Sequence, residues 1–155
     1  MLPDPRLPSR QWHRDAHTIS TDAARLDLDV IHGFLQGAYW SQGISRDIVA
    51  RSIAASLNFG LFEGSRQIGF ARIVSDYATF AWLGDVFVLE PHRGRGLSKW
   101  LLECVRAHPA LQGLRRFMLA TRDAHGLYAQ FGFAPPANPG TMMQILDPDI
   151  YTRGA

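Results

Sequence analysis

Apolar positions early in the chain recur every three to four residues. Val30, Ile31, Phe34, Leu35 and Ala38 fall on one helical face, which predicts a helix over 27–40. Asp27 and Asp29 sit in its first turn, where the helix dipole favours acids. Residues 41–43 break the pattern. Ser45 is placed to cap a second helix running to about residue 57, with Val49, Ile53 and Leu57 on one stripe. The period then shortens to that of strands: 59–63, a tight turn at Gly64-Ser65, 67–75, a turn at 76–78, and 79–88. Gly84 interrupts the third of these and predicts a bulge or a close backbone approach. Leu97, Trp100, Leu101, Cys104 and Val105 mark the clearest amphipathic helix, 97–108, which Pro109 stops. A strand at 116–121, a short helix at 123–131 and a last strand at 141–146 follow, and a short strand at 17–21 precedes everything. The order β-α-α-β-β-β-α-β-α-β predicts an α+β fold with a mixed central sheet and helices on both faces. Residues 1–16 read as a polar lead-in and 17–155 as a single domain.

Composition narrows the class. A chain of 155 residues fits one domain, and 46% hydrophobic with 19% charged residues is the balance of a core-forming protein. Cys104 is the one cysteine, so no intrachain disulfide forms, and the six histidines lack ligand spacing; no metal is expected. No apolar run approaches the ~20 residues of a membrane span. Pro3, Pro5 and Pro8 stand among charges where a signal peptide would have an apolar core. A cytoplasmic protein without a membrane partner is expected. The net charge of +2 is spread along the chain, so a nucleic-acid partner is not expected. A local anion site is, and one segment offers it.

That segment is Glu90-Pro91-His92-Arg93-Gly94-Arg95-Gly96-Leu97-Ser98-Lys99, a glycine-rich turn between a strand and the best helix. Glycines let successive backbone N–H groups converge, and a helix start adds unpaired N–H groups and positive dipole. Arg93, Arg95 and Lys99 add full charges. A phosphate-bearing ligand suits the place. A P-loop is excluded because Lys99 follows Ser98 rather than glycine and no Ser or Thr comes after it. A dinucleotide fingerprint is excluded because Lys99 holds the place of its third glycine, and Arg115-Arg116-Phe117 stand where its acid belongs.

The run Arg93-Gly94-Arg95-Gly96-Leu97-Ser98 resembles the pyrophosphate loop [QR]xxGx[GA] of the GNAT superfamily, with Ser98 where that family usually has glycine or alanine. Asp123-Ala124-His125-Gly126-Leu127-Tyr128-Ala129-Gln130-Phe131-Gly132-Phe133 resembles its late helix-and-turn signature, with Thr121 where an asparagine often stands. The resemblance covers roughly 17–146. It implies an N-acetyltransferase that takes acetyl-CoA and acetylates a primary amine of a small molecule or peptide. It also implies a homodimer, since similar proteins are often dimers. A non-catalytic acyl-CoA-binding module and a transferase of a different acyl group remain open alternatives.

The same resemblance assigns roles. The cosubstrate would lie against Val86, Phe87 and Val88, whose strand backbone supplies an oxyanion N–H and pairs with the amide-rich arm of CoA. Arg93, Gly94, Arg95, Gly96, Leu97, Ser98 and Lys99 would take the pyrophosphate, with Thr121 a further contact. Tyr128 would give a proton to the CoA sulfur, a task suited to a neutral phenol of pKa ~10. Asp85, a carboxylate in an apolar strand, would hold the amine or act as its base. Tyr39 and Trp40, ending the first predicted helix, would wall the amine pocket. Glu63, Asp76 and Glu90 are weaker acid candidates. Phe80, Trp82 and Trp100 read as core, Cys104 as a buried thiol, and His92 and His125 as loop bystanders.

Overall fold

The computed structural model describes residues 1–153. Its single six-stranded sheet has strands in chain order: β1 Gln11–Arg14, β2 His17–Ser20, β3 Leu57–Glu63, β4 Arg66–Ser75, β5 Phe80–Val88 and β6 Arg116–Met118. The first five pair antiparallel, and β6 pairs parallel with β5. The parallel step needs a crossover, and α3 (Leu97–Ala107) provides it.

The helices form where their caps say they should and stop sooner than the hydrophobic pattern predicts. The Asp27 carboxylate accepts from the Asp29 and Val30 amides and starts α1, Leu28–Leu35. The chain then closes on itself, with the Ser41 hydroxyl donating to the Leu35 carbonyl at 2.6 Å and the Gly43 amide to the Gln36 carbonyl at 2.9 Å. Tyr39 and Trp40 therefore lie on a connection and not on the helix. Ser45 caps α2, Arg46–Ala54, and Leu57 already belongs to β3.

The core has two sides. Leu97, Trp100, Leu101, Cys104 and Val105 of α3 pack on Ile19, Leu57, Phe59, Leu61 and Ile73. Ile31 and Leu35 of α1 and Val49 of α2 pack on Phe70 and Phe87 from the opposite face. The ladder has two irregularities, one at Leu61/Phe62 and one between Phe70 and Arg72.

Five further expectations change. The polar lead-in contributes a strand, β1, whose Trp12 stacks on Phe59 at 6.0 Å. The strand expected over 116–121 is paired only at Arg116–Met118, and the late helix α4 spans only His125–Ala129. Residues 142–146 form no strand; every residue from Ala134 to Leu146 is exposed. Phe80 and Trp82, expected in the core, are each 37% exposed. They alternate with Ala81 and Leu83 of the α3-side core and so point to the opposite face.

One buried polar group carries a pH consequence. His108 follows α3 and is 2% exposed; its Nδ1 accepts from the Ala110 amide, and its Nε2 has no partner. Burial first, then the nearby Arg10 charge, pushes its pKa below 6.5. The unfolded chain therefore binds the proton more readily than the folded one. Its contribution is fully present above pH 6.5 and is lost as pH falls from there through the folded pKa. Denaturant melts from pH 7.5 to 5 should show falling stability. His108→Asn, which keeps a cap acceptor, should flatten that slope; an unchanged slope would assign it to other groups.

Candidate active site

The glycine turn keeps its left-handed residues for a steric reason. Gly94 and Gly96 have φ of 80° and 74°, a region side chains disfavour. A Cβ at either would meet nothing within 4 Å, so the space in front of the turn is open. The Arg93 Nε donates to the Val88 carbonyl at 2.8 Å and pins the strand exit. Gly96 is the N-cap of α3 and offers no capping side chain, which leaves first-turn N–H groups for an anion. Val88, His92, Arg93, Gly94, Gly96, Leu97 and Ser98 line a hollow of about 50 Å³ there. Leu97 points into the core and can offer only backbone, while Arg95 and Lys99 are exposed. These residues fit a pyrophosphate.

The strand before the turn is bulged. Phe70 pairs with Phe87 and Arg72 with Gly84, so Ala71 of β4 faces both Asp85 and Val86 of β5. Asp85 itself carries the extra turn, with φ of 55°. Asp tolerates this conformation better than most side chains. Here its carboxylate is also clamped: Oδ2 accepts from the Arg72 Nε at 2.7 Å and Oδ1 from the Trp40 Nε1 at 2.9 Å. The Arg72 Nη1 donates onward to the Ser56 hydroxyl at 3.1 Å. Asp85 is thus a paired acid, 12% exposed at the side chain. Phe87 is buried and stacks on Phe34 at 4.1 Å.

Beyond Trp82, β5 runs on to Val88 with no strand beside it on the β6 side, because β6 pairs only with Phe80–Trp82. The backbone of Val86, Phe87 and Val88 is thereby available on that side for an amide-bearing ligand, which can add as a strand would.

Tyr128 on α4 is half-buried against the core, and burial, with a smaller effect from Tyr39, pushes its pKa above 10. Thr121 spends its hydroxyl accepting from the Ala124 amide at 3.1 Å, shaping the turn into α4. Tyr39 and Trp40 are partly exposed and meet edge to face at 5.0 Å. The Tyr39 hydroxyl accepts from the Arg122 amide at 3.1 Å, and the Arg122 guanidinium lies 3.9 Å above its ring. Trp40, Asp85, Arg72 and Ser56 thus form one bonded chain, and Tyr39 and Arg122 extend its wall.

Of the acids considered, only Asp85 lies at the bulge. Glu63 bonds His17 at 3.2 Å and stands 4.0 Å from Arg95, beside the glycine turn. Asp76 is consumed by Thr79, Ala78 and Phe80 in its own turn, which holds its carboxyl well below the usual range. Glu90 opens the turn that follows β5. His125 is exposed, and His92 stands 3.7 Å from Glu63. Sequence reasoning missed Arg72 and Arg122. Arg72 had a signal: it is the lone charge inside Ile68-Gly69-Phe70-Ala71-Arg72-Ile73-Val74. Arg122 had none.

The fifth strand of a mixed sheet is thus bulged and runs into a glycine turn at a helix start. Residues 27–133 match the model of the acetyltransferase (GNAT) family. The chain is 31% identical over 144 residues to Putative acetyltransferase FG08082 of Gibberella zeae, covering 78% of this chain and 80% of that one. A crystal structure from Xanthomonas campestris pv. campestris, assigned to the GNAT family, is 54% identical, covers 88% of this chain and 96% of its own, and superposes with a TM-score of 0.86. A Clostridium acetobutylicum structure with acetyl-CoA shares the fold at 12% identity and a TM-score of 0.60, covering 89% of this chain and 94% of its own. The chain belongs to the GNAT family of acetyltransferases. That family uses acetyl-CoA. Among the described residues no cluster of three or more His, Cys, Asp or Glu is placed to hold a metal, and no helix is long and apolar enough to cross a membrane.

Proposed function

We propose that this chain is a cytoplasmic N-acetyltransferase that moves the acetyl group of acetyl-CoA to a primary amine of a small molecule or peptide. The observation that carries this reading is the bulge at Asp85 and Val86, in the strand that runs into an uncapped glycine turn. Acetyl-CoA supplies an activated thioester carbonyl. The chain's own residues do the rest. The turn from Arg93 to Lys99 takes the pyrophosphate, and the unpaired edge of Val86, Phe87 and Val88 takes the amide-rich arm. An N–H at the bulge faces the carbonyl oxygen, where charge grows as the amine adds. Tyr128, neutral at pH 7, donates its proton to the departing sulfur.

Asp85 has a double task in this reading. Its bonds to Arg72 and Trp40 hold the bulge in shape. A carboxylate has about four lone-pair sites, so it can still accept from an incoming amine. Tyr39 and Trp40 wall that approach.

Calorimetry with CoA on the wild type and Gly96→Asp tests the cosubstrate site. The variant places bulk and negative charge at a left-handed position at the start of α3. We expect CoA affinity to fall at least tenfold; equal affinities would overturn the assignment. Thiol release from acetyl-CoA with a panel of amines, read by mass spectrometry, tests the transfer. CoA binding without acetylation of any amine would leave an acyl-CoA-binding module.

A further inference from the structure

The wall of the proposed acceptor pocket carries a second charge, opposite in sign to Asp85. Arg122 follows β6, in the turn that leads into α4. Its backbone is held from both sides. Its own N–H donates to the Tyr39 hydroxyl at 3.1 Å, and the Thr121 hydroxyl accepts from the Ala124 amide at 3.1 Å. Its guanidinium lies over the Tyr39 ring, 3.9 Å from the centroid. A guanidinium stacked on a ring keeps its N–H edge free for a planar anion. Among the described residues no side-chain hydrogen bond and no ion pair takes that edge, not even from the adjacent Asp123. Arg122 is exposed, so an incoming molecule reaches it.

We infer that Arg122 binds a carboxylate on the acceptor, so that the preferred substrate is a zwitterion whose amine and carboxylate lie several bonds apart. The inference rests on the transferase reading above and narrows its acceptor. Asp85 and Arg122 stand at the two ends of one chain of contacts. The Trp40 Nε1 donates to Asp85 Oδ1 at 2.9 Å, the Trp40 and Tyr39 rings meet edge to face at 5.0 Å, and Arg122 covers Tyr39. Two aromatic rings thus separate the carboxylate from the guanidinium. An α-amino acid, whose two charges share one carbon, is too short to meet both. A longer amino acid or a short peptide spans them, and its middle lies along Tyr39 and Trp40, which are 49% and 42% exposed. The paired N–H groups of the guanidinium match a carboxylate in direction as well as in charge. A polyamine is selected against, because its second cation would face Arg122. The phosphates of CoA have cations of their own in Arg95 and Lys99, both exposed at the glycine turn.

Acetylation of matched acceptors tests this. δ-Aminovalerate and glycylglycine carry the carboxylate, their amides lack only that charge, and cadaverine puts a cation in its place. In the wild type, kcat/KM should favour each acid over its amide by about tenfold, the usual worth of hydrogen bonds to a charged group. The gain should lie mostly in KM, with cadaverine the poorest acceptor. The pair with the larger ratio tells whether an amino acid or a peptide fits better. Arg122→Ala should abolish the preference, Arg122→Lys should keep part of it, and Arg122→Glu should turn it towards cadaverine. The backbone N–H that holds Tyr39 survives all three substitutions, and melting curves check that the fold does too. CoA affinity, read by calorimetry, should be the same in all four proteins. Equal use of acid and amide by the wild type, or a preference that Arg122→Ala leaves intact, would overturn the inference and leave the transferase reading standing. So would acetylation of other amines but of neither acid. A fall in CoA affinity in Arg122→Ala would assign the guanidinium to the cosubstrate and overturn it as well. Failure to acetylate any amine of the wider panel would overturn the transferase reading itself, and this inference with it.

Discussion

Tyr128→Phe is expected to lower kcat by ~10²–10⁴-fold, the usual loss on removing a general acid, while leaving the fold intact. The substitution keeps the ring, and the ring does the packing: it lies 6.1 Å from Phe133, edge-on, against the α3 side of the core. Among the described residues nothing hydrogen-bonds the hydroxyl, so no protein partner is stranded by its loss, and the melting temperature should move by only a few degrees. CoA affinity should stay within a few-fold, since the turn from Arg93 to Lys99 is untouched. The pH profile provides a separate readout. With its pKa pushed above 10 by burial, the phenol stays protonated through the neutral range and limits the rate only at high pH. The variant should lose that basic limb. Near-normal turnover, with chemistry shown to be rate-limiting, would falsify the role and leave solvent as the proton source.

The parts of the fold that were legible in the sequence are those where one physical rule acts alone. The α3 stripe of Leu97, Trp100, Leu101, Cys104 and Val105 is buried as its spacing requires. The meander of β3, β4 and β5 follows its turns. Where tertiary context intervenes, the pattern misleads. α1 ends at Leu35 because the Ser41 hydroxyl and Gly43 amide take its last carbonyls into a turn. Phe80 and Trp82 are strand aromatics that point away from the α3-side core and stay partly exposed. β1 has one apolar side chain, Trp12, and was hidden in a proline-rich lead-in. The strand expected over 141–146 has the right side chains but pairs with no strand.

The site divides in the same way. The glycine turn was readable because φ above zero and phosphate approach both demand glycine. The bulge was signalled by Gly84 but falls one residue later, on Asp85. A lone acid in an apolar strand suggested a charge held for a substrate. Its first partner is instead Arg72, from the neighbouring strand, and the register that joins them is set by the bulge itself.

That partnership makes Arg72→Met the substitution with the largest expected effect on stability. Removing one member of a buried ion pair costs ~3–5 kcal/mol because the remaining charge loses its compensation. Here the side chains are 20% and 12% exposed, so water recovers part of the loss and about 2–3 kcal/mol is expected. Ser56 loses a donor as well. Asp85→Asn should be milder, about 1 kcal/mol, because asparagine tolerates the left-handed conformation and its oxygen still accepts from Trp40 or Arg72. Arg72→Lys should not rescue, since one ammonium cannot match the two directions in which the guanidinium donates. The effect on activity should exceed the effect on fold. A slackened bulge misaligns the N–H aimed at the acyl oxygen, and losing one such donor typically costs ~10²–10³-fold in kcat. CoA affinity should hold, because Arg93 pins the glycine turn separately through the Val88 carbonyl. Urea melts, kcat and CoA titrations on the three variants separate these effects. If Arg72→Met is as stable and active as wild type, the pair is a surface contact and Asp85 is free to serve the amine alone. If Arg72→Met loses CoA binding in step with kcat, the bulge and the turn move as one unit, and the separate role given to the Asp85–Arg72 pair is wrong.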